Sequence, residues 1–338
     1  MSNPVVEQVL NVGRLAKTVA AARRYSRARQ VLPSADDQNF WNMRQAMSLG
    51  PKVGKAISKF SVRDGSSLAW QIPSTSSTRF VDGSEVDQAV SGLRRDGYYV
   101  FSHVVDPSIT EAIRAHAATV PSVARGAGTQ PEVYPRDNPA VGRYDIEEIE
   151  ALKSPEVQEF VSDPLMALIA QKYLDQPVIM DEVACWWTTT KKAEDADLNA
   201  QMFHQDRDRL SFLKFFIYLT DVQPDTGPHV YLRGSHARIP FGLRFDGRVT
   251  DDSVKKAGLW EEVRELIGPA GTLMAVDTIG LHKGKTPIAS DRLALESEFS
   301  TSLFGTSYER PEFTPTDLMR QRFADMPFVL QRYASSLR

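Results

Sequence analysis

A chain of 338 residues with 42% hydrophobic and 25% charged residues has the composition of an ordinary globular protein, long enough for one large domain with an extension or for two domains. Its net charge is only −3 and no recognised nucleic-acid-binding motif is present, which argues against a nucleic-acid partner. The single Cys185 excludes an internal disulfide and predicts a reducing, cytoplasmic setting, and no segment approaches the roughly 20 apolar residues of a transmembrane helix.

The N-terminal part of the chain is basic. Between Arg14 and Arg63, eleven Lys and Arg residues stand against two acids. An apolar stripe predicts a helix from Pro4 to about Arg29, formed by Val5, Val9, Val12, Leu15 and Val19. Such a helix either lies on an anionic membrane or a partner, or packs on the protein body or on a second copy in a homodimer, and we favour packing. Residues 61–84 are predicted to be a linker, so that residues 1–83 form an extension.

The globular body is predicted to begin near Ser84 with short alternating helices and strands. The turn-rich stretch 121–143 is long for a loop, which makes it a candidate lid or substrate rim. The other predicted elements here are helix 86–95, strand 98–101, a helix that begins at Asp106-Pro107, and one helix over 154–174.

From Pro177 onward, strands separated by loops predict an all-β core. The strands are expected over 177–190, 211–219, 228–232, 271–277 and 292–303, with one helix over 252–267. Lys214 interrupts an otherwise apolar strand. Because an unpaired buried ammonium is costly, Lys214 must bind an acidic cosubstrate, pair with a structural carboxylate or reach water at the strand end.

A candidate metal site begins at His204-Gln205-Asp206. In an extended segment, residues i and i+2 point to the same side, so His204 and Asp206 would present an imidazole and a carboxylate together. A second imidazole, from His282, would complete a set of two His and one carboxylate, which is the facial triad of non-haem Fe(II) oxygenases.

A hairpin is predicted to bring Arg292 near this metal site. Residues 284–291 would connect the His282 segment to an antiparallel strand that begins at Arg292. The side chains that share a face with Arg292 are Ala294, Glu296, Glu298 and Ser300. The alternation does not tell whether this face points inward or to water.

The segment from about Asp96 to Phe304 resembles the phytanoyl-CoA dioxygenase family of Fe(II)- and 2-oxoglutarate-dependent oxygenases. The resemblance is carried by the order and spacing of several motifs, which are His204-Gln205-Asp206, residues 216–222, Thr226-Gly227-Pro228, Gly234-Ser235-His236, His282-Lys283-Gly284 and Ser290-Asp291-Arg292.

This resemblance implies a mainly β fold with flanking helices, namely a double-stranded β-helix (a cupin-like jelly roll) over residues 84–310, followed by a C-terminal helical tail over 311–338 that packs on the core. It implies that His204, Asp206 and His282 hold Fe(II) and that Arg292 binds the distal carboxylate of 2-oxoglutarate, to which a guanidinium offers two parallel donors. By their position, Gln205, Trp186 and Lys214 are expected at the cofactor pocket.

The implied reaction consumes O2 and 2-oxoglutarate and releases succinate and CO2. The expected substrate is a small molecule of secondary or sugar metabolism, hydroxylated at an unactivated C–H. Two alternatives remain open: an oxygenase of a carrier-, lipid- or protein-linked substrate, or a jelly-roll protein that binds metal or ligand without turnover. For His229 and His236, a structural role is at least as well founded as substrate contact.

Overall fold

The computed structural model describes residues 4–28, 38–61, 70–128, 130–191, 200–305 and 310–337. Parts of the predicted linker (62–69) and of the loop before His204 (192–199) lie outside these ranges. The helices are α1 Pro4–Ala28, α2 Gln38–Met47, α3 Val53–Ser61, α4 Val86–Asp96, α5 Pro107–Ala117, α6 Glu148–Ala151, α7 Pro155–Val161, α8 Pro164–Leu174, α9 Asp251–Lys256, α10 Asp317–Asp325 and α11 Ala334–Leu337.

Two antiparallel sheets form the centre of the described structure. The larger has the strand order β1-β9-β6-β11-β5-β4-β2-β3 and the smaller the order β10-β7-β8, without closure into a barrel. This arrangement with flanking helices confirms the predicted jelly-roll class. The strands are β1 Tyr98–Val104, β2 Pro121–Ala124, β3 Glu132–Val133, β4 Arg143–Ile146, β5 Ile179–Thr188, β6 Phe212–Tyr218, β7 His229–Leu232, β8 Val263–Leu266, β9 Thr272–Val276, β10 His282–Gly284 and β11 Arg292–Ser300.

The two faces of β11 meet different surroundings. Leu293, Leu295 and Phe299 join the large apolar core that also contains side chains of the flanking helices. Ala294 instead joins the apolar cluster between the sheets. Because side chains alternate along a strand, Arg292 and Glu296 share the inner face with Ala294. The question left open by the sequence is thereby answered: the polar face of β11 points inward.

Turn chemistry fixes the ends of the early helices as predicted. Asp106 accepts a hydrogen bond from the backbone N–H of Ser108, with Pro107 as the first residue of α5. Helix α4 ends at Gly97, whose φ of +89° lies in the left-handed region. A Cβ there would lie 2.3 Å from the hydroxyl of Tyr231, so both conformation and space favour glycine.

Helices α1, α2 and α3 form an N-terminal layer that packs on the sheets. Its apolar cluster includes Ala22 of α1 and Phe212 of β6. The predicted stripe of α1 is wrong at Val12, which is 59% exposed, whereas Asn11 and Thr18 are buried. Both polar side chains have partners within the helix: Thr18 donates to the Arg14 carbonyl oxygen, and Oδ1 of Asn11 accepts from the Arg14 guanidinium. Among the described residues, no helix is both long and apolar enough to span a bilayer.

Three sequence-based element predictions are wrong in part. The helix over 154–174 is two helices, because Asp163 caps a new helix that starts at Pro164. The stretch 121–143 contains the short paired strands β2 and β3 and reaches β4. The helix over 252–267 ends after α9, and residues 263–266 form β8 against β7, where pairing with a neighbouring strand overrides local helix propensity.

The predicted hairpin between the His282 segment and β11 is also wrong. Strand β10 pairs with β7 in the smaller sheet, whereas β11 pairs with β5 and β6 in the larger one. The chain therefore crosses between sheets over the connection 285–291 instead of turning back on itself.

The C-terminal segment contributes to the large core. Met319, Leu330 and Tyr333 are fully buried there. The buried Arg332, two residues before α11, donates to both carboxylate oxygens of Glu148 at 2.5 Å, which ties the C-terminal segment to α6. The division of the chain at residues 83 and 310 stays a prediction.

Candidate metal centre

Two segments that are distant in the chain are joined by a pair of backbone hydrogen bonds. The N–H of His204 donates to the carbonyl oxygen of His282 at 2.9 Å, and the N–H of His282 donates back to that of His204 at 3.0 Å. The His204 segment is therefore an isolated bridge partner of β10 rather than a strand of its own. The bridge places the two imidazole centroids 4.3 Å apart.

Backbone carbonyls fix which nitrogen of each imidazole faces the site. Nδ1 of His204 lies 2.9 Å from the carbonyl oxygen of Met202, and Nδ1 of His282 lies 3.0 Å from that of Gly280. Because a carbonyl oxygen only accepts, each Nδ1 carries the proton. The lone pair of each Nε2 is thus free to bind a metal, with the ring orientation fixed from behind.

Asp206 completes the donor set. Its Oδ1 lies 3.6 Å from Nε2 of His204 and its Oδ2 lies 3.7 Å from Nε2 of His282. One donor atom from each of the three residues falls within 4.8 Å of the others. Such separations suit three ligands on one face of a single ion, and two imidazoles with one carboxylate are donors that Fe(II) accepts. The structure therefore brings together all three residues that the sequence predicted.

Burial and charge keep this donor set in its metal-binding protonation state. Burial, followed by the charge of the neighbouring His282, lowers the pKa of His204 to about 3, so the ring is neutral. Burial would raise the pKa of Asp206, but Lys214 and the two imidazoles outweigh it and hold the pKa well below its usual range. A neutral His204 ring and an ionised Asp206 carboxylate are the forms that bind a divalent cation.

Lys214 reaches this centre from β6. Its Nζ lies 3.1 Å from Oδ2 of Asp206 and 2.8 Å from Oε1 of Glu296. Burial would lower the pKa of the ammonium, but these carboxylates outweigh that effect and raise it. Of the three options left open by the sequence, the observed contacts are those of a buried Lys paired with carboxylates.

Arg292 lies at the other end of the inner face of β11. It is buried, its guanidinium donates to the carbonyl oxygen of Gly227 and to Oγ1 of Thr188, and its Nε makes no hydrogen bond. Within the described part of the chain, no carboxylate forms an ion pair with it. Burial accordingly lowers its pKa. A buried guanidinium without a counter-ion fits an anionic ligand such as a dicarboxylate.

A cavity of about 590 Å³ connects these groups. Its wall includes the triad, Arg292, Lys214, and the predicted Trp186 and Gln205. Sequence reasoning missed several polar wall residues. These are Arg44 of the N-terminal layer, Arg125 and Arg143 of the expected rim, Glu182, Asp208, Asp246 and Arg248, and the wall also contains Glu296, which the sequence placed on the face of Arg292.

The remaining predicted residues occupy distinct places around the cavity. Gln205 donates to the carbonyl oxygen of Ile279 at 2.6 Å and accepts from Arg207 at 2.8 Å, which leaves one amide N–H. Trp186 is part of the cavity wall, and the guanidinium of Arg143 lies over its ring, 4.3 Å from the ring centroid. His236 lies outside the cavity wall.

His229 is a wall residue that the sequence left undecided. Its ring stacks on that of His282 at 5.3 Å with an interplanar angle of 4°, and its Nε2 has no hydrogen-bond partner. Burial, followed by the neighbouring His282, lowers its pKa well below the ordinary value, so the ring is neutral. In the sequence, the only indication that His229 lies near the site was its position directly after the Thr226-Gly227-Pro228 motif.

A family model described as phytanoyl-CoA dioxygenase (PhyH) matches residues 93–286. The chain belongs to the phytanoyl-CoA dioxygenase family. Membership confirms the predicted Fe(II)- and 2-oxoglutarate-dependent oxygenase class and its cofactors. The family match includes the triad, whereas Arg292 and the N-terminal layer lie outside it. No curated protein matches the sequence significantly.

Solved structures of similar fold include the epimerase SnoN in complex with Fe3+, alpha ketoglutarate and nogalamycin RO, at 19% identity and a TM-score of 0.44, over 65% of this chain and 84% of SnoN. HygX from Streptomyces hygroscopicus, with nickel, 2-oxoglutarate and hygromycin B bound, is 16% identical with a TM-score of 0.45, over 69% and 93%. EctD from S. alaskensis with bound Fe is 17% identical with a TM-score of 0.44, over 72% and 91%.

Proposed function

We propose that this member of the phytanoyl-CoA dioxygenase family hydroxylates an unactivated C–H bond of a small molecule of secondary or sugar metabolism. In this proposal His204, Asp206 and His282 hold Fe(II). The observation that carries it is the convergence of three donor atoms within 4.8 Å on one wall of a cavity whose other wall presents Arg292.

Arg292 would hold the distal carboxylate of 2-oxoglutarate. Its Nε is without a partner and its other nitrogens are oriented by Gly227 and Thr188, so the guanidinium is fixed before the ligand arrives. A charge-assisted pair in such a buried position is stronger than one in water. The ligand would then be oriented by a rigid strand end.

The protein side of the reaction is binding, orientation and exclusion of water. When bound, Fe(II) with 2-oxoglutarate and O2 supplies the oxidising chemistry. The Nδ1–H groups of His204 and His282 would keep donating to the carbonyl oxygens of Met202 and Gly280, and Asp206 would stay ionised beside Lys214. Trp186 and Gln205 would limit where the substrate lies. A cavity of about 590 Å³ is of the size that holds small organic ligands.

The direct test is turnover of 2-oxoglutarate by the purified full-length protein. Succinate should form only when Fe(II) and O2 are both present, and product analysis should show a substrate that has gained one oxygen atom. His282→Ala should abolish succinate formation. His116→Ala is the matched control, because His116 bonds the Glu150 carbonyl oxygen away from the cavity, and it should retain activity.

Succinate formation that is independent of Fe(II), or that persists in His282→Ala, would contradict the assignment of the triad. A product that has lost two hydrogens without gaining oxygen would keep the enzyme class and replace hydroxylation by desaturation.

A further inference from the structure

Charged side chains are separated along the cavity wall. On the inner face of β11, Arg292 stands at one end and Glu296 and Glu298 toward the other. Arg292 and Glu296 are four positions apart along the strand, which separates their Cα atoms by about 13 Å. The cavity is thus cationic where 2-oxoglutarate is expected and rich in carboxylates at the far end.

The carboxylate-rich end is formed by residues in register on three adjacent strands. Glu298 is directly opposite Glu182 of β5 on one side and Lys214 of β6 on the other. Side chains opposite each other on neighbouring strands lie within about 5.5 Å at Cβ, and like charges in that position are destabilising. A pair of facing glutamates therefore needs a cation between or beside them.

Few cations of the protein serve this end, since Arg143, which also acts on Glu296, is already paired with Asp145 at 2.8 Å. Lys214 is shared by Asp206, Glu296 and Glu298, the last at 3.5 Å. Glu298 is fully buried, and neither of its carboxylate oxygens makes a hydrogen bond. Nearby, Arg209 already bonds Asp181 at 2.6 Å.

Glu182 is the carboxylate of this group that faces the cavity without a partner. It lines the wall, and no hydrogen bond or ion pair joins its carboxylate to another residue in the ranges that the structure covers. Burial, only partly offset by Lys214, raises its pKa to about 7. An ionised carboxylate in this position is stabilised either by taking up a proton or by binding a cationic group.

Building on the proposed function, we propose that the substrate carries a protonated nitrogen and that Glu182, with Glu296 beside it, binds this group at the end of the cavity remote from Arg292. Arg44 on the same wall is already shared by Asp208 at 3.3 Å and Asp246 at 2.8 Å, so it supplies no counter-charge to the glutamates. The distance between the cationic and the carboxylate-rich ends of the cavity keeps the two ligands apart. The dicarboxylate is attracted to Arg292 and repelled by the glutamates, whereas the protonated amine is attracted to the glutamates and repelled by Arg292.

The test compares amines with neutral molecules of matched shape. Putrescine against 1,4-butanediol and glucosamine against glucose are titrated into the full-length protein by calorimetry. Each titration is made first on the protein alone and then on the protein loaded with Zn(II) and 2-oxoglutarate. Zn(II) takes the place of Fe(II), so the substrate can bind without turnover. Each amine should bind at least tenfold more tightly than its neutral partner, and Glu182→Gln should reduce this ratio to about threefold or less.

Two further variants make the result specific. Glu296→Gln should lower the amine preference as well. If Glu182→Gln does not fold, the comparison is made with Glu296→Gln instead. Glu111→Gln removes a carboxylate from the exposed surface of α5, where Glu111 pairs with Arg114, and should leave the preference unchanged.

Equal binding of amine and neutral partner, or an amine preference that survives in both cavity variants, would overturn the proposal. Binding of Zn(II) and 2-oxoglutarate is read from the loading step, before any amine is added. Failure of that step contradicts the proposed function, whereas failure of the amine comparison alone contradicts only this inference.

Discussion

The ammonium of Lys214 lies 3.1 Å from Oδ2 of Asp206, the acidic member of the triad, and 2.8 Å from Oε1 of Glu296. It thereby connects the metal centre to the carboxylate-rich end of the cavity. Removing either partner of a buried ion pair leaves the other charge without compensation, which costs more than the pair itself contributes.

Replacing Lys214 by Met should therefore lower the free energy of unfolding by about 3 kcal/mol or more. The loss arises from Asp206 and Glu296, the two carboxylates nearest to Lys214, which would lose their cation. Chemical denaturation gives the measurement. In the double variant Lys214→Met/Glu296→Gln, one of the charges left without a cation is gone, so part of the loss should be recovered. Equal loss in the single and double variants would contradict a shared ion-pair network.

Arg292→Met should raise the KM for 2-oxoglutarate by about tenfold to a hundredfold, the size of a lost charge-assisted interaction. Metal binding should change little, because Arg292 is not part of the donor set. Succinate formation measured over a range of 2-oxoglutarate concentrations, together with a metal titration, provides the check. Arg238→Met is the matched control, since Arg238 is exposed. An unchanged KM would remove Arg292 from the cosubstrate site.

The buried carboxyl group of Asp163 is expected to make the free energy of unfolding depend on pH. Burial raises its pKa to about 6, against 3.8 for the ordinary carboxyl, so between these pH values the folded state holds a proton that the unfolded state has lost. Stability due to this group therefore falls as pH rises from about 4 to about 6, by about 3 kcal/mol, and is constant above.

Asp163→Asn keeps an oxygen that accepts from the backbone N–H groups of Leu165 and Met166, but it does not titrate. Its unfolding free energy, relative to wild type, should rise through this pH window. Asp163→Ala, which also loses the helix cap, should be less stable than Asp163→Asn by about 0.5–2 kcal/mol at every pH. A flat difference between Asn variant and wild type would contradict the raised pKa.

Two glycines test how closely the N-terminal layer packs on the sheets. A Cβ at Gly54 of α3 would lie 2.1 Å from the carbonyl oxygen of Leu210, whereas one at Gly13 of α1 would meet nothing within 4 Å. Gly54→Ala should lower the melting temperature because α3 must shift. Gly13→Ala should raise stability by about 0.5–1 kcal/mol through helix propensity. Similar effects of both substitutions would argue against the close contact.

The triad could be predicted because its residues lie in short motifs whose order and spacing resemble those of a known family. The same resemblance gave the jelly-roll class. The path from β10 to β11 could not be predicted, because whether a strand turns back or crosses to the facing sheet depends on tertiary packing that leaves no local pattern. The interpretation of 263–266 as helix failed for the same reason: β7 provides the pairing that makes this segment β8.

The residues of the cavity wall were harder to predict from the sequence than the triad. Alternation along β11 placed Glu296 with Arg292, yet only the packing of Leu293 and Leu295 on the helices shows that this face is inward. Arg44 reaches the wall from outside the family match, through an ion pair with Asp246 at 2.8 Å. A contact between residues so far apart in the chain has no signature in either segment.

The mutual backbone bonding of residues 204 and 282 has a kinetic and thermodynamic consequence. Because the main chain already holds the two imidazoles side by side, an incoming ion has little conformational entropy to remove. Stripping the metal with a chelator should leave amide hydrogen exchange at these two positions slow, in contrast to small zinc domains that unfold when demetallated.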